Sequence, residues 1–130
     1  MLKKIYPAVF EKDPVGYGIY FPDIEGAATQ GSDIGEGLEM ASDALGIMLA
    51  DLLERGAELP DPTPLNELAF DKSRQFATLV SVDLSEYIKT NERVKKTLEI
   101  PKWADIRAKK FGLNFSQVLT DAIVEKTSNF

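Results

Sequence analysis

The sequence predicts an α+β protein in two unequal parts. A small β-sheet with one long packed helix comes first, and a strand-helix-helix unit follows. Three observations predict this. β-rich runs flank a single long amphipathic stretch. After about Lys89 the pattern shortens to one strand, a proline and two brief helices. The charge divides at the same place: residues 1–90 carry 7 Lys/Arg against 16 Asp/Glu, a net of −9, and residues 91–130 carry 8 against 5, a net of +3. The expected organisation is therefore a domain at 1–88, a linker at 89–93 and a second unit at 94–130.

Leu2 to Lys12 alternates as a strand, with Ile5, Ala8 and Phe10 among polar positions and Tyr6 and Val9 between them. Asp13-Pro14-Val15-Gly16 signals a turn, and Tyr17 to Phe21 completes a hairpin. Turn residues at Pro22 to Gly26 end it, leaving Ala27 to Gln30 for a third short strand. Asp33 then stands as an N-cap, with Glu36 three residues on as a capping box requires. Ile34, Leu38, Ala41, Leu45, Met48 and Leu52 form an apolar stripe of helical period, and Gly56 marks its end. Gly35, Gly37 and Gly46 weaken that helix, by about 1 kcal/mol each where exposed. Pro60, Pro62 and Pro64 make a stiff, exposed loop running to about Asp71. Phe76 to Asp83 is rich in β-branched residues and reads as a central strand, with a turn or short helix over Asp83 to Tyr87.

In the second part, Thr97 to Ile100 is a short alternating strand stopped by Pro101. A helix from about Lys102 to Phe111 ends at Gly112. Asn114 caps the next, with Gln117 as its capping-box partner. Phe115, Val118, Leu119, Ala122 and Ile123 give that helix an apolar face. A unit of about 35 residues has too little core to fold alone, and a lone strand leaves an open edge. Two copies pairing their strands solve both problems. Leu98, Ile100, Val118, Leu119 and Ile123 are the expected dimer core.

Composition excludes several chemistries. The chain has no Cys and no His. Thiolate nucleophiles, Ser-His pairs and imidazole ligands are impossible, and metal binding would rest on carboxylates alone. Neither a signal peptide nor a membrane span is expected, and the absence of Cys fits a reducing compartment, so the expected location is the cytoplasm. Asp13, Asp23, Glu25 and Asp33 lie near strand ends, where a carboxylate-metal nuclease could gather them. Turn and cap roles account for each without a site. No enzyme activity, catalytic residue, metal or cofactor is expected.

The acidic part suits a basic partner, and the basic tail suits phosphate. On the short strand, Leu98 and Ile100 share one face while Lys95, Thr97 and Glu99 share the other. Lys95 and Thr97 suit base or phosphate contacts in a major groove, and Glu99 fits there by accepting from a cytosine amino group. Lys96 falls on the inward face, so either it snorkels or the strand starts after it. Asn114 and Ser116 place the second helix start on a phosphate. A helix-turn-helix is a rival reading, because AKKFGLNFSQ also reads as helix, Gly turn, helix.

The run Tyr6 to Leu45 resembles the amino-terminal domain of HicB antitoxins. The resemblance is carried by Tyr6 and Val9, Gly16-Tyr17, Phe21-Pro22-Asp23-Ile24-Glu25-Gly26, Thr29-Gln30-Gly31-Ser32-Asp33 and the helix start. Val94 to Lys126 resembles the ribbon-helix-helix DNA-binding domain of many members. The resemblance implies a partial RNase H-like domain, inactive as a nuclease, that blocks a small basic HicA-like mRNA-cleaving ribonuclease. It also implies a dimer that represses its own operon by binding operator DNA, and a heterotetramer with the toxin. Asp23 and Glu25 are the expected toxin contacts. The alternative is a DNA-binding regulator whose first domain senses a small ligand.

Overall fold

The computed structural model describes residues 2–89 and 92–128. Strands β1 (Lys3–Asp13), β2 (Gly16–Tyr20) and β3 (Ala28–Gly31) precede helix α1 (Ile34–Glu54), and β4 (Gln75–Asp83) follows it. Single 3-10 turns occupy Leu65–Glu67 and Leu84–Glu86. Helices α2 (Lys102–Lys110) and α3 (Phe115–Ser128) complete the chain. The sheet is antiparallel in the order β3-β2-β1-β4, so β1 is central and β4 is an edge. The expected central role of β4 belongs instead to β1, because β4 pairs on one side only.

Register divides β1 differently from the expected grouping. Tyr6, Ala8 and Phe10 line up with Ile19, Val80 and Thr78 on the face that joins the main core, whereas Ile5, Pro7 and Val9 alternate onto the other. Residues Tyr6 to Phe10 are all buried on a strand flanked by neighbours, and Ile5 is exposed. Phe10 stacks on Phe76 at 5.0 Å between ring centroids, and Tyr17 meets both rings edge-on.

α1 lies on that face, but the buried side of its first turns is not the expected one. Gly37, Ala41, Leu45, Gly46, Leu49 and Ala50 are buried, while Ile34 and Leu38 are exposed. The reason is close approach. A Cβ on Gly31 would stand 2.5 Å from the Gly37 nitrogen, so β3 and the first turn of α1 meet backbone to backbone. A Cβ on Gly46 would lie 2.6 Å from the Tyr87 ring. Gly37 and Gly46 thus make packing possible where propensity alone counted them as weaknesses. The ends fall where expected: Asp33 accepts from the Glu36 amide at 2.8 Å and Gly56 has φ +72°, but Glu36 reaches back to the Ser32 amide at 3.0 Å, one residue before the cap that a capping box would use.

The proline loop is fastened to the body. Leu59 is buried, the Tyr6 hydroxyl donates to the Pro60 carbonyl, and the Asp23 carboxylate accepts from Thr63 N–H at 2.9 Å and from its hydroxyl.

The tail forms both helices, with Gly112 at φ +66° between them and the Gln117 amide bonded to Asn114 Oδ1 at 3.0 Å. Gln117 does not complete a capping box; its side-chain amide donates to Asp121. Residues 92–100 form no strand. The expected strand at Thr97–Ile100 has no neighbour within one chain, and a strand is defined by its pairing. Thr90 and Asn91, inside the expected linker, lie outside the described residues.

Candidate functional site

Two surfaces carry the chemistry. The first is the acidic body around the bend after β2. Phe21 N–H donates to the Ala27 carbonyl and Ile24 N–H to the Phe21 carbonyl, each at 3.1 Å, folding Phe21, Ile24 and Ala27 inward. This leaves Pro22 and Glu25 exposed, and Gly26 takes φ +83° to close the bend. A shallow groove runs along Tyr20 to Ala28. Asp23 is half-buried and holds the proline loop through Thr63, so it has a structural task whatever else it touches. Asp61 belongs to the same cluster. Burial first, then the negative charges of Asp23 and Asp61, push the Tyr6 phenol well above its ordinary value of 10.0 and keep it neutral. Sequence reasoning missed Asp61 and Tyr6 because a contact across half the domain leaves no local pattern.

The acidic side chains of α1 are mostly engaged. Asp43 accepts from the Tyr87 hydroxyl at 2.9 Å, Glu54 accepts from the Lys89 amide, and Asp51 pairs with Arg55 at 2.9 Å. Burial, followed by the Asp43 hydrogen bond, raises the Tyr87 phenol. The Arg55 guanidinium offsets the Asp51 charge. The body keeps a strongly negative field. Among the described residues, no three carboxylates gather where a metal ion could be held. Asp13 accepts from the Val15 amide in the turn at 2.9 Å, Asp33 caps α1, and Asp23 and Glu25 share the groove after β2.

The second surface is the tail. Lys95, Thr97 and Glu99 are exposed along the extended stretch at 92–100. Asn114 and Ser116 are exposed at the start of α3. Asn114 Oδ1 accepts from the Gln117 amide of its own helix at 3.0 Å. The expected core residues form no common core in one chain. Leu98 is 63% exposed, and Ile100, Val118, Leu119 and Ile123 are open as well. Trp103, Ile106, Phe111, Leu113 and Phe115 extend this apolar surface, with Arg107 over the Phe111 ring at 5.4 Å. Two apolar residues of the tail behave differently: Ala108 of α2 is buried, and Val124 is 8% exposed and joins the core of the body. No helix among the described residues is long and apolar enough to cross a membrane.

These features have counterparts. A family model described as the HicB_like antitoxin of bacterial toxin-antitoxin systems matches residues 6–122. The chain is 40% identical over 62 residues to Antitoxin HicB 2 of Photorhabdus laumondii, covering 48% of this chain and 45% of that protein, less than half of its length. It resembles a chain in a toxin-antitoxin complex from Streptococcus pneumoniae, with 44% identity, a TM-score of 0.64, and 96% and 99% of the two chains covered. It also resembles a chain in the HicA3 and HicB3 toxin-antitoxin complex, with 27% identity, a TM-score of 0.53, and 62% and 99% covered. These solved structures support the mixed α+β fold. A match running from β1 into α3 takes in both surfaces. The chain belongs to the HicB-like antitoxin family of bacterial toxin-antitoxin systems, a family of antitoxins and not of enzymes.

Proposed function

We propose that the acidic body binds and occludes a small basic HicA-like ribonuclease, and that the tail makes a dimer which represses its own operon by binding operator DNA. The observation that carries the DNA half is the open tail: an apolar stripe on two helices beside an unpaired extended stretch bearing Lys95, Thr97 and Glu99. A second copy would cover that stripe and pair that stretch, giving the two-stranded ribbon that enters a major groove. The toxin half rests on the net charge of −9 over residues 1–90 and on relatives solved as complexes with toxins. Opposite charge would speed association, and apolar contacts would set the lifetime of the complex. The body, read as a partial RNase H-like unit, need do no chemistry. Asp23 and Glu25 are proposed contacts, Glu25 being the better presented of the two. The complex would be a heterotetramer in the cytoplasm.

The test has two arms. Purified toxin is mixed with a messenger RNA and the full chain; cleavage continuing at saturating antitoxin would overturn the first half. Operator gel shifts at several salt concentrations address the second. Lys95→Ala should flatten the salt dependence by about one unit of slope per lost contact, about two per dimer. An unchanged slope removes Lys95 from the interface.

A further inference from the structure

α3 has two working sides. Helical spacing sets Val118, Leu119, Ala122 and Ile123 on one side and Gln117, Thr120, Val124 and Thr127 on the opposite side. The second side is polar except for Val124, and Val124 is the residue the body buries, at 8% exposure. Lys4 of β1 is the one buried charged side chain among the described residues; burial lowers its ammonium pKa, and the negative charge of Glu125, next to Val124, works against that shift. Thr127 completes the wall of a groove formed by Leu53, Gly56, Ala57, Glu58 and Leu59 beyond the end of α1. Val124, Glu125 and Thr127, all in the last turns of α3, thus bear on the body. A solvent-facing helix side has no use for a lone valine, and a pure dimerisation helix has no use for a seat on another domain.

We propose that α3 is a two-sided clamp. Val124 seats the helix on the body of its own chain, while the opposite stripe stays available to a second copy. The dimer then carries its two bodies in fixed positions. Without the seat, an extended stretch like that at 92–100 would let the body wander by about 17 Å, the root-mean-square span of about nine flexible residues. The clamp rests on the dimer reading above for its second side only; the seat stands without it.

The chain has no Cys, so two introduced cysteines carry the only spin labels. Glu39→Cys on α1 and Lys109→Cys on α2 are both exposed positions. Dilution with excess unlabelled full-length chain isolates the distance within one chain. The expected result is one narrow distance distribution, broadened by Val124→Asp and by the milder Val124→Ser, with the dimer retained in sedimentation. Lys4→Glu should broaden it, and adding Glu125→Lys should narrow it again. A broad distribution in the parent chain, a narrow one in both Val124 variants, or loss of the dimer with Val124→Ser would overturn the clamp. A narrow distribution in a chain that fails to inhibit the toxin would leave the clamp standing and sink the antitoxin mechanism instead.

Discussion

The body and the tail solve the same problem in opposite ways. In the body, Tyr6, Ala8, Phe10, Leu45, Leu49 and Leu84 are fully buried within one chain. In the tail, α2 and the Asn114-capped α3, joined by the Gly112 turn, leave Trp103, Phe111, Leu119 and Ile123 open to water. Local structure is equally well specified in both. What differs is whether sequence-distant elements of the same chain arrive to cover the apolar side. β1, α1 and β4 do so for the body; in the tail, Ala108 of α2 and Val124 of α3 are the apolar side chains buried among the described residues. Contiguous apolar surface of this kind marks an interaction site.

The largest effect expected from this contrast lies in the stripe. Leu119→Ala and Ile123→Ala should each weaken the dimer by about 2–5 kcal/mol per protomer. Sedimentation should show monomers with the body still protected from amide exchange; a body that melts with the dimer would erase the contrast. Next comes Gly31→Ala, which forces a Cβ against the Gly37 backbone at 2.5 Å. It should cost the body about 1–3 kcal/mol in urea unfolding and leave self-association unchanged. The two caps sharpen the comparison further. Asp33→Ala should cost about 1 kcal/mol in the unfolding of the body, and Asn114→Ala a similar amount read out as dimer affinity. The smallest effect concerns pH. Hydrogen bonds from the Ser73 and Ser85 hydroxyls, followed by backbone amides, hold Asp71 and Asp83 below their ordinary value of 3.8. A depressed folded value means stability that is present above that ordinary value and lost as pH falls through the lowered one. Asp83→Asn should therefore make acid unfolding of the body shallower below about pH 4, without shifting tail association.

Much of this was legible in the residues. Asp33 and Gly56 bracket α1, Asn114 and Gly112 bracket the start of α3, and β-branched composition marks β4 to within a residue at its start. Each is a local signal. The rotation of the buried side of α1 was not legible, because Gly31 and Gly37 act as a pair that meets only once the sheet exists. Nor was the tie from Tyr6 and Asp23 to the proline loop, which spans 54 and 40 residues of sequence. The strand at Thr97–Ile100 was read from alternation and is absent from a single chain for want of a neighbour. Val124 left a faint trace that went unread: one apolar residue on the polar side of α3.

The open stripe also bears on how long a molecule lasts. A lone copy shows an extended backbone at 92–100 and unprotected apolar helices, the features by which degrading enzymes select their substrates. On the proposed dimer, a copy covered by a second would hide both. Survival of the chain would then rise with its own abundance. A falling supply would be cleared faster than in proportion, so that a modest drop in synthesis becomes a steep drop in protection.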